Sequence, residues 1–241
     1  MKIMQSENMG TLYGIGVGPG DSELLTLKGY RLLQECNVIA YPKKNADENS
    51  YALGIVQEYV NQTEKTMLGL VFPMTRNRAI LEPKWRETVE TVWGYLSKGQ
   101  DVAFVTEGDP MVFSTFIHLG RLLKELYPQA KVKSVPGVSS FHAAASQLQV
   151  PFADGDDSVA IVPATRDMEQ MKRMLELHDC IVFIKIAKVF DTVLDLLTEL
   201  GLEKNAFVVT KVTGPDEMIW TDARELRGKK LGYLTLMVVR K

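Results

Sequence analysis

Three points in the first 140 residues set glycine, proline and small polar or acidic residues directly after an apolar run. They are Gly18-Pro19-Gly20-Asp21, Gly108-Asp109-Pro110 and Val135-Pro136-Gly137-Val138-Ser139-Ser140. Glycine lets backbone approach a ligand without a Cβ, and proline fixes the turn, so such breaks can aim N–H and C=O groups at adenine, ribose or a carboxylate. Any one of them alone reads more readily as a simple tight turn. Three of them at strand ends of one open α/β sheet would lie along one edge, where ligands of such sheets bind. That suggests one site.

The residues for most other chemistries are missing. Gly14-x-Gly16 follows an apolar run, but position 19, where a dinucleotide fingerprint needs its third glycine, is proline. No clear acidic residue closes the second strand to hold a ribose. No Gly-Lys-Ser/Thr follows a glycine loop, and neither Gly-x-Ser-x-Gly nor His-Glu-x-x-His occurs, which leaves a P-loop, a hydrolase elbow and a zinc helix without support. Of the three histidines, His118 is expected on its helix as packing or surface, and His178 in a polar turn. His142, three residues after Ser139 at the start of a helix, is the one placed to touch a substrate. Cys36 and Cys180 lie in apolar surroundings with no second Cys or His at ligand spacing. No metal site is expected, and a reducing cytoplasm fits.

The elements that must position these turns follow from composition and periodicity. With 46% hydrophobic and 24% charged residues, the 241-residue chain reads as soluble and globular, one large domain or two small ones. A balance of 28 Lys+Arg against 30 Asp+Glu gives a net charge of -2, so no global basic field exists to bind nucleic acid, and an anionic ligand must be met locally. No run approaches the roughly 20 apolar residues of a membrane helix. Residues 1–9 are polar and read as a frayed lead-in.

Short apolar runs alternating with amphipathic stretches give the α/β pattern. Strands are expected at 11–17, 37–41, 68–72, 102–106 and 132–135. Asp21 or Ser22 can cap a helix carrying Leu24, Leu27, Leu32 and Leu33. Further helices are expected around 52–59, through Trp85, Val89, Trp93 and Leu96, through Phe116, Leu119, Leu122, Leu123 and Leu126, and over 139–148. The proline, glycine and acids of 150–157 mark a boundary, giving an N-terminal α/β domain at 10–153 and a C-terminal one at 154–241. Strands at 158–162, 180–186, 206–212, 218–221 and 233–239 and helices at 167–177 and 190–200 fill the second. Its last three strands leave no room for crossover helices and must pair partly antiparallel. Met168, Met171 and Met174 read as a helix face packed into the core.

The glycine-proline strand ends, in this order and spacing, resemble the tetrapyrrole methylase family, whose members transfer methyl groups from S-adenosylmethionine to corrin and sirohaem precursors. Gly16-Val17-Gly18-Pro19-Gly20-Asp21 stands for the family's Gly-x-Gly-Pro-Gly-Asp, Gly108-Asp109-Pro110 for its Gly-Asp-Pro, and Pro136-Gly137-Val138-Ser139 for its Pro-Gly-x-Ser/Thr. The match covers nearly the whole chain. Tyr41-Pro42-Lys43, Leu70-Val71-Phe72-Pro73-Met74, Phe113-Ser114-Thr115-Phe116 after Thr106 to Pro110, and Ser139-Ser140-Phe141-His142-Ala143 are similar to the enzymes that methylate C-20 of precorrin-2 or cobalt-factor II.

The resemblance implies a two-domain fold with a mostly parallel N-terminal sheet and a mixed C-terminal one. It implies S-adenosyl-L-methionine in the cleft between the domains, S-adenosyl-L-homocysteine as product, and a homodimer. The implied cofactor contacts are Pro19, Gly108, Asp109, Val112, Ser139 and Ser140, with Lys185, Val212 and Thr213 from the second domain.

Methyl transfer is an in-line displacement at an already activated sulfonium, so positioning does most of the work and no strong protein nucleophile is required. Asp21 and His142 are the candidate acid-base groups for the proton that leaves C-20, although the substrate's own nitrogens or water could serve. The carboxylates on the rim of the substrate call for a local patch of cations. Lys43, Lys44, Arg76, Arg78, Lys84 and Arg86, expected in the loops after the second and third strands, could supply it or form a solvated surface. Runner-up readings are a methylase of another corrin carbon or of uroporphyrinogen III, and a binding protein that keeps the fold without turnover.

Overall fold

The computed structural model describes residues 9–45, 47–72 and 77–241, and the chain divides into two units after Ser139. In the first unit the apolar runs become β1 (Thr11–Gly16), β2 (Val38–Lys43), β3 (Thr66–Val71), β4 (Val102–Thr106) and β5 (Lys131–Val135). They form one parallel sheet in the order β3-β2-β4-β1-β5. Central β4 is buried along its length, as a strand covered on both faces must be. Its alternate side chains enter two cores. Phe104 joins Leu12, Leu96, Leu119 and Leu123 on one face, and Val105 joins Ile15, Leu33 and Ile39 on the other. Helices α1 (Leu27–Glu35), α2 (Tyr51–Val56), α3 (Arg78–Leu96) and α4 (Thr115–Leu126) cover these faces. Because the strands are parallel, the carboxyl ends of β4, β1 and β5 are neighbours on one edge, with β1 in the middle.

Two helix starts differ from the sequence pattern. Asp21 caps only a 3₁₀ turn, Ser22–Leu24. The α-helix begins at Leu27, behind Thr26, whose Oγ1 accepts from the Gly29 N–H at 3.1 Å. Leu27, expected within a helix capped by Asp21 or Ser22, is instead the first residue of α1 and 89% exposed. Helix α3 starts at Arg78, well before Trp85, because Asn77 accepts from the Ala79 N–H at 3.1 Å and caps it. Pro83 within the helix costs it one backbone hydrogen bond.

The second unit contains α5 (Ser140–Leu148), β6 (Val159–Pro163), α6 (Met168–Leu177), β7 (Cys180–Ile184), α7 (Phe190–Glu199), β8 (Ala206–Thr210), β9 (Met218–Trp220) and β10 (Thr235–Arg240). Its sheet runs β6-β7-β10-β8-β9. The pair β6–β7 is parallel, and β10 lies antiparallel between β7 and β8. With β8–β9 also antiparallel, the short connections have the consequence expected of them. Met171 is in the core with Phe183, Leu197 and Met237, and Met168 packs against it. Strands β7 and β8 end two residues earlier than the apolar runs do, since Lys185 (φ 58°) and Lys211 (φ 49°) turn into the left-handed region.

Asp179 ties the start of β6 to that of β7. Its Oδ2 accepts from the Ser158 N–H at 2.8 Å and the Ser158 hydroxyl at 2.9 Å. Those hydrogen bonds hold its carboxyl below the usual range. A depressed carboxyl stabilises the fold above its unfolded pKa and loses that contribution as pH falls through the folded value. Asp179→Ala should therefore lower the urea midpoint fully near pH 7, with a gap to wild type that closes below about pH 4. A gap unchanged in acid would contradict this.

Candidate functional site

The three glycine turns meet backbone to backbone. A Cβ on Gly16, at the end of β1, would lie 2.5 Å from the Gly108 oxygen and 2.6 Å from the Gly137 nitrogen. A Cβ on Gly137 would lie 2.2 Å from the Gly108 oxygen and 2.6 Å from the Gly16 carbonyl carbon. Only glycine fits at either position. Gly108 donates its N–H to the Gly18 oxygen at 2.7 Å, and both residues sit in the left-handed region, at φ 65° and 84°. Asp109 ties in the third turn. Its Oδ2 accepts from the Gly137 N–H at 3.1 Å and its Oδ1 from the Met111 N–H at 2.8 Å.

The surroundings hold this arrangement still. Thr106 and Ser114 share a buried hydroxyl hydrogen bond of 2.9 Å, and Ser114 Oγ also accepts from the Phe116 N–H at 3.1 Å to cap α4. The Tyr51 hydroxyl donates to the Pro19 oxygen at 3.3 Å. Ser139 is buried and Ser140 opens α5 half-buried. An added Cβ on Gly108 would meet Ser139 Cα at 3.8 Å and the Val138 oxygen at 4.0 Å, ordinary van der Waals contact, so at this position the positive φ rather than crowding favours glycine.

The second unit brings together its own candidates. Strands β7 and β8 run the same way, each antiparallel to β10, so Lys185 and the segment Val212–Thr213 fall on one edge of that sheet. Lys185 is exposed and Val212 buried. Lys185, Lys211 and Thr213 all have positive φ, and Thr213 donates its N–H to Glu217 Oε2 at 3.0 Å. Lysine and threonine carry no sequence signal for that backbone.

The remaining candidates are spread more widely. Asp21 is the cap of its 3₁₀ turn, with Oδ1 accepting from the Glu23 N–H at 2.9 Å. His142 is exposed on α5, its ring 4.6 Å from that of Phe141 and 6.4 Å from that of Phe152. His118 is exposed with its ring 5.7 Å from Trp85. Lys43 ends β2 with its stem across β3, where a Cβ on Gly69 would be 2.9 Å from Lys43 Cδ. Lys44 pairs with Glu48 at 3.0 Å and Lys84 with Glu87 at 2.7 Å. Arg78, Lys84 and Arg86 lie on α3 rather than in a loop. Lys84 and Arg86, two residues apart, leave different sides of the helix. Arg76 lies outside the described residues.

Neither thiol belongs to a reactive centre. Burial, with Asp101 nearby, pushes Cys36 up to about 12, and burial raises Cys180 as well. In the folded protein at about pH 8, iodoacetamide should label neither cysteine, and in urea both. Rapid labelling of the folded chain would contradict the burial. Among the described residues no group of three or more His, Cys, Asp or Glu could hold a metal ion. No helix among them is long and apolar enough to cross a membrane.

A parallel sheet whose neighbouring carboxyl ends meet in glycine turns, followed in the chain by a mixed sheet, is an α/β arrangement of the kind in which ligands bind at that edge. The family model of the Tetrapyrrole (Corrin/Porphyrin) Methylases matches residues 11–227, and the chain belongs to that family. The cobalt-precorrin-2 C(20)-methyltransferase of Salmonella typhimurium is 31% identical over 96% of this chain and 97% of its own length. A probable cobalt-precorrin-2 C(20)-methyltransferase of Methanocaldococcus jannaschii is 35% identical over 72% of this chain and 71% of its own. The solved structure of a cobalt precorrin-4 methyltransferase shares the fold, with a TM-score of 0.75 at 23% identity, covering 100% of this chain and 98% of that one.

Proposed function

We propose that this protein is an S-adenosylmethionine-dependent methyltransferase acting at C-20 of precorrin-2 or of its cobalt-containing counterpart, cobalt-factor II, in cobalamin biosynthesis. The observation that carries the methyltransferase reading is the meeting of Gly16, Gly108 and Gly137 on one sheet edge. The assignment to C-20 follows the names of the two relatives.

When bound, S-adenosylmethionine would supply a methyl group on an activated sulfonium, ready for transfer to an electron-rich ring carbon with neutral S-adenosylhomocysteine as leaving group and no protein nucleophile. The chain's own task is to hold and orient. Pro19, Gly108, Asp109, Val112, Ser139 and Ser140 are the proposed cofactor residues of the glycine turns, and Lys185, Val212 and Thr213 those of the second sheet. Lys43 and Lys44 at the end of β2 are the proposed partners of the substrate carboxylates, with Arg76, Arg78, Lys84 and Arg86 beyond them. For the proton that leaves C-20 we propose Asp21 and His142. Asp21 already spends one oxygen on the Glu23 N–H, whereas His142 is exposed to solvent. The division at 153/154, a homodimer and a cytoplasmic location belong to the same reading.

Titration with S-adenosylhomocysteine tests it. At about 100 times its dissociation constant, a ligand that binds only the folded state adds roughly 2.7 kcal/mol of stability, read as a raised Tm. No shift at millimolar ligand would overturn the reading.

A further inference from the structure

The loop after Asp109-Pro110 exposes three consecutive apolar side chains, Met111 at 57%, Val112 at 37% and Phe113 at 50%. Apolar groups left in water favour any partner that covers them. This loop is not a loose one. Asp109 accepts the Met111 N–H through Oδ1 and the Val112 N–H, at 3.3 Å, through its backbone oxygen. The following Ser114 is locked to Thr106 in the core. Phe113 has φ 53°, a conformation rare for an aromatic residue and held only where the surroundings impose it, as they do at ligand clamps.

Position narrows the partner. The loop leaves the carboxyl end of β4, between β2 and β1 in the sheet, and β2 ends at Lys43 with Lys44 next in the chain. An apolar step at the end of β4, next to the strand that ends at Lys43, suits a broad, flat, apolar ring with carboxylates on its rim. We propose that Met111 and Phe113 form the seat on which the face of the tetrapyrrole macrocycle rests. This inference rests on the methyltransferase reading, and it sets which molecules fit by ring area rather than by ring substituents.

Met111→Ser and Phe113→Asn in the full chain test it, with Phe113→Leu as the conservative variant. Uroporphyrin III, a fluorescent octacarboxylate macrocycle, is titrated in the presence of S-adenosylhomocysteine. S-adenosylhomocysteine affinity and Tm are read in parallel. Each truncation should weaken porphyrin binding about tenfold, leave S-adenosylhomocysteine affinity within about twofold, and be largely rescued by leucine at position 113. Asparagine tolerates the left-handed backbone, so Tm should hold or rise in Phe113→Asn while porphyrin affinity falls. Three results would overturn the proposal: porphyrin affinity unchanged or absent already in the wild type, an equal loss for S-adenosylhomocysteine, or a change of oligomeric mass in the variants. Wild-type methylation at a carbon other than C-20 would overturn the proposed function and leave the seat standing, because porphyrin binding is read without turnover.

Discussion

Gly137→Ala should destroy S-adenosylhomocysteine binding and cost the fold about 3 kcal/mol or more, at the top of the usual range for overpacking. The added Cβ would sit 2.2 Å from the Gly108 oxygen and 2.6 Å from the Gly16 carbonyl carbon. Both obstacles are backbone, so no side-chain rotation relieves the clash. The ends of β1, β4 and β5 would have to part, and the edge they form is the proposed cofactor site. A second glycine serves as the control. Gly54 is exposed on α2 with nothing within 4 Å of an added Cβ, so Gly54→Ala should stabilise the protein by about 0.5–1 kcal/mol through helix propensity alone. Urea unfolding and calorimetric titration of both variants separate the cases. A Gly137→Ala protein that unfolds and binds like wild type would show that the turns do not interlock.

Asp109→Asn should weaken S-adenosylhomocysteine binding by about ten- to a hundredfold, the equivalent of losing one charge-assisted hydrogen bond. Both carboxylate oxygens accept backbone N–H groups, one from Met111 and one from Gly137. An amide keeps one acceptor and turns the other into a donor facing a donor. Either the Met111 turn or the Gly137 turn is then released, whichever way the amide lies. Asp109→Glu restores the charge but not the reach, and it should not rescue binding. Calorimetry reads the result directly. Affinity within about twofold of wild type would mean that neither bond positions the site.

The contribution of local chemistry to the fold explains what was legible in the sequence. The strands around Val102 to Thr106 and Cys180 to Ile184 stood out because a strand covered on both faces must be apolar throughout. The three turns stood out because glycine and proline are chosen for backbone reasons. Their interlocking did not, since it depends on β1 lying between β4 and β5, and no local pattern carries that order. The misplaced start of α1 has a local cause. Asp21 is a good cap and Leu24 and Leu27 share helical spacing, but Thr26 takes the Gly29 N–H and begins the helix anew. The left-handed residues Phe113, Lys185, Lys211 and Thr213 were illegible because none is the glycine or asparagine that usually marks such backbone. Among the cations, the cap at Asn77 decided what the sequence could not, by placing Arg78, Lys84 and Arg86 on a helix. Met111, Val112 and Phe113 carry a local signal of their own, three apolar residues directly after Gly-Asp-Pro, where a surface turn is ordinarily polar.

The ring carbon that receives the methyl group decides the assignment. Anaerobic incubation with methyl-labelled S-adenosylmethionine and, in parallel, precorrin-2 and cobalt-factor II, followed by carbon NMR of the product, tests it most directly. The label should appear on C-20 and on no other ring carbon, and the preferred substrate assigns the metal. Label on a different carbon, or none from either substrate while S-adenosylhomocysteine still binds, would contradict the assignment.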